Sequence, residues 1–145
     1  MVNTVQARVN VTVADAQGAR VFDVSLVNFA IDSTPPTVVG FNPGEGATGV
    51  SPTTTVTVTF SEAMNAPSAQ QAFSLRRVDT GTYAPGTSAW VGNAMTFTPS
   101  VPLAQGIVYR AQVNATARDA SDPGNPLGTI RTANFTTADV TPPTI

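Results

Sequence analysis

The chain has 145 residues, 41% hydrophobic and 11% charged, with a formal net charge of −2; this is room for one core-bearing domain plus a fragment, and too apolar for disorder. No basic block is present, which excludes the clustered Lys and Arg that nucleic-acid binding needs. His, Cys and Lys are all absent, so His-based triads, His/Cys zinc sites, Schiff bases, Lys–Asn isopeptide crosslinks and disulfides cannot be built.

Residues 1–32 read as two strands joined at Asp15-Ala16-Gln17-Gly18. The stretch after Met1 is strand-like and carries Arg8 and Asp15, which does not fit a signal peptide. Met1 falls in mid-module and reads as an imposed start. A lone two-stranded hairpin is barely stable, and any pairing of copies through residues 1–32 reads as a consequence of that start. Further on, period-2 alternation predicts strands near 37–42, 54–61, 72–79, 87–91, 94–99, 107–117 and 131–138. Thr55-Val56-Thr57-Val58-Thr59-Phe60 sets Val56, Val58 and Phe60 on one face and threonines on the other. Pro43-Gly44, Gly46, Gly49 and Pro52 break the chain after the first of these strands. Met64 to Ala72 is the one helix-permissive stretch, and Ala66-Pro67-Ser68 can start a helical turn. Gly92-Asn93 suits a type II′ hairpin turn. About seven short strands with such punctuation indicate an all-β antiparallel sandwich. Phe60, Phe73, Leu75, Met95, Phe97, Val113 and Phe135 form the expected core. No apolar run is long enough to cross a membrane.

Thr-Pro-Pro-Thr occurs at Thr34–Thr37 and again at Thr141–Thr144, preceded by Asp32 and Asp139. The segments upstream also match, Val9 to Asp15 with Val113 to Asp119, and Asn28 to Asp32 with Asn134 to Asp139. This internal repeat divides the chain into the last two strands of one module (1–33), a complete module (34–138) and a linker to the next (139–145). The double proline removes two donors and favours extended geometry, so the linker is a short stiff spacer.

Several separated motifs then resemble one family in order. Pro35 to Val50, Thr57-Val58-Thr59-Phe60-Ser61-Glu62-Ala63-Met64-Asn65, Phe97-Thr98-Pro99, Pro102-Leu103-Ala104-Gln105-Gly106-Ile107-Val108-Tyr109, Asp119 to Leu127 and Phe135-Thr136-Thr137 are similar to the bacterial Ig-like domain of S-layer and large surface proteins. Ala63 and Asn65 depart from the family's usual Pro and Asp, and the Asp119–Leu127 loop is longer. The resemblance implies an Ig-like sandwich over roughly 35–138, with the 1–33 fragment as an N-terminal β-hairpin. It also sets Tyr109 where a tyrosine corner pins the preceding loop.

Candidate sites each have a structural alternative. Asp119, Asp122 and Asn125 offer oxygen ligands at loop spacing suited to Ca²⁺; such residues also cap turns by bonding local amides. Asp32 or Asp139 could add a ligand from the linker. Glu62 ends a strand with no marked carboxylate partner, so its expected role is to fix the sandwich end through loop backbone. Trp90, with Tyr83 near it, could stack on a sugar or simply pack at an edge. Asn10-Val-Thr12, Asn114-Ala-Thr116 and Asn134-Phe-Thr136 match a glycosylation sequon within strands, as a Thr-rich chain does by coincidence.

These observations lead to a non-catalytic spacer repeat of a secreted or cell-surface bacterial protein, with neighbouring Ig-like repeats as its partners. The alternatives are an adhesive module binding glycan or surface protein through loops 44–52, 80–87 and 119–128, and an accessory domain of a secreted hydrolase. No cofactor is implied beyond the calcium option.

Overall fold

The computed structural model describes residues 4–7, 9–18, 20–24 and 29–141. Met1, Asn28 and the second Pro-Pro at Pro142-Pro143 lie outside the described residues. Two compact units separate after Thr34.

The first unit corrects the expectation of two strands: among the described residues it holds four short strands in two antiparallel pairs, the outer pair closing around the expected hairpin. β2 (Asn10–Ala14) pairs with β3 (Arg20–Val24), and β1 (Thr4–Ala7) with β4 (Phe29–Ile31). The turn between β2 and β3 lies at the expected residues. Gly18 N–H donates to the Asp15 carbonyl at 3.0 Å and Gln17 N–H to the Asp15 carboxylate at 3.0 Å. Gly18 has φ +85°, a conformation that glycine adopts without steric cost.

The second unit is a sandwich of two four-stranded sheets. One has the order β5 (Val38–Asn42), β7 (Val56–Phe60), β10 (Ala94–Pro99), β9 (Gly86–Val91), all antiparallel. The other has β6 (Ala47–Val50), β12 (Arg131–Thr137), β11 (Val108–Val113), β8 (Phe73–Arg77), with β6 parallel to β12. Alternation works as expected in β7, where Val56, Val58 and Phe60 are buried and Thr59 faces solvent. Across the sheet the outward threonines meet, Thr57 Oγ1 lying 3.0 Å from Thr96 Oγ1.

A helix, α1 (Ala66–Ala72), connects β7 to β8. Asn65 caps it by accepting from Ser68 N–H at 3.1 Å, Pro67 sits in the first turn, and Ala69 and Ala72 are its buried face. Gly92 has φ +56°, and among the described residues no non-glycine residue has positive φ. Positive φ at the first central position alone makes the Gly92-Asn93 turn type II′ rather than I′.

The core holds Phe60, Leu75, Met95, Phe97, Val113 and Phe135 as expected, and adds Val56, Val58, Met64, Leu103, Tyr109 and Leu127. Phe73 is only half-buried and packs against Phe97, ring centroids 5.1 Å apart. In the second unit two expectations need correction. β6 forms where a break was read, because its partner β12 supplies the pairing. β11 ends at Val113, not near residue 117: Asn114 N–H still reaches the Ala72 carbonyl at 2.9 Å, and Ala117 N–H then closes a turn onto Asn114 at 3.2 Å.

Candidate functional site

β11 runs the length of the sandwich and so defines its two ends. At its start, Tyr109 is 4% exposed and its hydroxyl accepts from the Ala104 backbone N–H at 2.9 Å. This is the tyrosine corner. Buried Thr137 works beside it, its hydroxyl accepting from Ile107 N–H at 3.0 Å and donating to the Ala104 carbonyl at 2.7 Å. The chain leaves the sandwich here. Gln105 holds the departing strand: its Oε1 accepts from Val140 N–H and from the Thr141 hydroxyl, both at 3.0 Å.

Past the other end of β11 lies the 118–127 loop, and the chain comes in beside it. Pro36 is fully buried, Thr37 N–H donates to the Ser61 hydroxyl at 2.9 Å, and Ser61 N–H donates to the Thr37 carbonyl at 2.9 Å. The residues after Ser61 pair with the loop, Asn65 N–H to the Arg118 carbonyl at 2.9 Å and Ala120 N–H to the Ala63 carbonyl at 3.0 Å.

Asp119 organises this loop. Only 1% of it is exposed. Oδ1 accepts from Ser121 N–H at 3.0 Å, Ser121 Oγ at 2.5 Å and Asn125 N–H at 2.9 Å, and Oδ2 accepts from Asn125 Nδ2 at 2.9 Å. Burial disfavours the carboxylate charge, but these donors outweigh it and hold the group below the ordinary aspartate value. Gly124 lets the loop fold back, since a Cβ there would press on the Asp119 carbonyl and the Arg118 side chain.

Asp122 is exposed on the same loop. Asn125 spends its amide on Asp119 and on Ser121 Oγ, the latter at 3.3 Å. A cation held by Asp119 and Asn125 would therefore have to displace donors already in place. Glu62, half-buried, brings a carboxylate oxygen within 4.8 Å of one of Asp119, a proximity that the sequence reading, with Asp122 in mind, did not find. Asp32 and Asp139 each accept from the backbone N–H two residues on, Thr34 at 2.9 Å and Thr141 at 3.0 Å. The two linkers thus start with the same Asx turn.

Trp90 is half-buried and stacked on Phe60, centroids 5.9 Å apart; Tyr83 is 65% exposed. Of the sequons, Asn114 accepts from Gln112 Nε2 at 2.7 Å and Asn134 from Arg110 Nε at 3.0 Å; the Asn10 side chain lies outside the described residues. Glu45, Gln105 and Ser121 carry contacts that the sequence reading missed. The Asp-Ala-Ser spacing before a Pro-Gly turn was the available signal for Ser121, as an Asx-type cap.

Residues 32–137 match the bacterial Ig-like domain family. The chain belongs to that family. Among solved structures it is similar to the N-terminal part of the bacterial S-layer protein SbsC, at 21% identity and TM-score 0.54, over 73% of this chain and 24% of that one. It is also similar to an L,D-transpeptidase from Mycobacterium smegmatis, at 23% identity and TM-score 0.52, over 72% of this chain and 41% of that one. The Escherichia coli methionine-rich copper resistance protein PcoC has 16% identity and TM-score 0.54, over 72% of this chain and 99% of that one. At these identities the likeness is one of fold. The chain spans about a quarter of the S-layer chain it matches. No curated protein matches it. Among the described residues no helix is long and apolar enough to cross a membrane.

Proposed function

We propose that the module is a non-catalytic spacer repeat of a secreted or cell-surface bacterial protein. The observation that carries this reading is that the chain comes in at one end of the sandwich and leaves at the other, fastened at both. Pro36 and Ser61 anchor the incoming strand; Gln105 anchors the outgoing one. A module held in this way transmits direction from one linker to the next. The shared Asx turn before each Pro-Pro gives both linkers the same geometry to start from. The family and the S-layer likeness support the surface setting.

X-ray scattering of chains with one, two and three modules tests it. The longest dimension should grow in proportion to module number. Growth as a flexible string, with wide variation of angle at the joints, would overturn the spacer reading.

A second reading follows from the mycobacterial transpeptidase chain, in which the same fold accounts for 41% of a longer chain. The module would then ride beside a hydrolase or transferase. The flanking reading frame decides, since only this reading requires a catalytic domain there.

A further inference from the structure

We propose that β9 is a pairing edge that receives a second copy of this module by antiparallel strand addition. An open sheet edge is a template for another strand, and proteins blunt such edges with bulges, prolines, charges or covering segments. Three of the four edges of this sandwich are treated in that way. The β5 register breaks between Val38 and Gly40, and Pro43 follows directly. β6 has four residues, bounded and interrupted by the positive-φ glycines Gly46 and Gly49. β8 is covered by residues 82–84, through Arg77 N–H to the Thr82 carbonyl at 2.9 Å and Ala84 N–H to the Leu75 carbonyl at 2.8 Å.

β9 is untreated. Its six residues stay in unbroken register with β10, from Gly86 opposite Pro99 to Val91 opposite Ala94, and none is charged or proline. The two-residue turn makes Val91–Ala94 a hydrogen-bonded pair, and the pattern alternates from there. Thr87, Ala89 and Val91 therefore bond inward to β10, while Gly86, Ser88 and Trp90 aim N–H and C=O away from the sheet. Pro99, which has no N–H, sits opposite Gly86 as this phase requires.

The edge is complementary to itself. A twofold axis at Ser88 pairs Ser88 with Ser88 and Gly86 with Trp90, so outward groups meet only outward groups. With no charge on the strand, no like charges are set opposite each other. Trp90 of one copy falls opposite Gly86 of the other, where no Cβ stands. The Cβ position at Gly86 is filled by the module's own Phe97 ring, and beside it runs a groove of about 550 Å³ lined by Gly86, Ser88, Phe73 and Phe97. The contact is small, so the dimer of isolated chains is weak and concentration-dependent, and tethering of copies strengthens it.

Sedimentation velocity of the full chain, from low to high micromolar, tests this independently of the spacer reading. The wild type should shift from monomer to dimer, with a change in the emission of its single Trp. Ser88→Pro removes an outward N–H that makes no bond within the sheet, and should abolish the dimer with the melting temperature kept. Ala89→Lys puts charge on the solvent face of the edge and should do the same; it decides the matter if Ser88→Pro folds poorly. A wild type that stays monomeric throughout overturns the proposal. So do variants that dimerise as the wild type does, since pairing would then run elsewhere, residues 1–32 included.

Discussion

Tyr109 and Ala104 are tied by a hydrogen bond of 2.9 Å in which the phenol accepts from a backbone N–H five residues earlier. That N–H sits at the start of the loop that holds the outgoing chain. Tyr109→Phe keeps the ring and its stacking on Phe135 but leaves the Ala104 donor without a partner. The expected cost is about 1–2 kcal/mol, seen as a lower urea midpoint with an unchanged slope.

Asp119→Asn should be more costly. The amide cannot accept from Ser121 and Asn125 as the carboxylate does, and roughly 2–3 kcal/mol should be lost at neutral pH. The donors lower the folded-state pKa below the ordinary 3.8. The stabilisation is thus full above that value and is lost as pH falls through the folded pKa. The gap between wild type and variant should narrow on acidification below that value, measured as paired melts. The same gap in Ca²⁺ and in EGTA is expected, because the partners of the carboxylate are protein donors; a gap seen only with calcium would assign Asp119 to an ion.

Gly86→Ala tests how closely β9 covers the core. A Cβ there would overlap the Phe97 ring and the Thr98 carbonyl. Displacing a core ring costs about 1–3 kcal/mol, so the variant should fold with a lowered melting temperature and altered aromatic signals in near-ultraviolet circular dichroism.

Asn65→Ala removes the cap of α1, whose side chain accepts from Ser68 N–H. A loss of about 1 kcal/mol is expected, and Asn65→Asp should retain or exceed wild-type stability at neutral pH, because a carboxylate also favours a helix start. Thermal melts of the three proteins check the order.

The strands that alternate cleanly, such as β7 and β10, were legible because one buried face against water writes itself into the residue pattern. β6 was not, since Ala47-Thr48-Gly49-Val50 carries no alternation and its pairing comes from β12, remote in sequence. β11 was overrun for the opposite reason: the alternating pattern continues through Thr116 although the backbone has already left the sheet. Asp119 and Asn125 could be read as a cluster. Their mutual bonding, and the approach of Glu62 from the end of β7, depend on loop folding that no local spacing encodes.

The parallel pairing of β6 with β12 has a mechanical consequence. Tension on the incoming linker loads β5 against β7 first and reaches β6 only through residues 43–46; once β5 yields, β6 is drawn back toward its start and β12 forward toward its end, so the two are sheared along their common axis. Gly46 N–H to the Asn134 carbonyl at 2.8 Å, Ala138 N–H to the Val50 carbonyl at 2.7 Å and the Glu45 carboxylate on Asn134 N–H at 2.7 Å bear that load together. Bonds loaded in shear share the force rather than breaking in turn, so this seam is expected to go on resisting after β5 has given way.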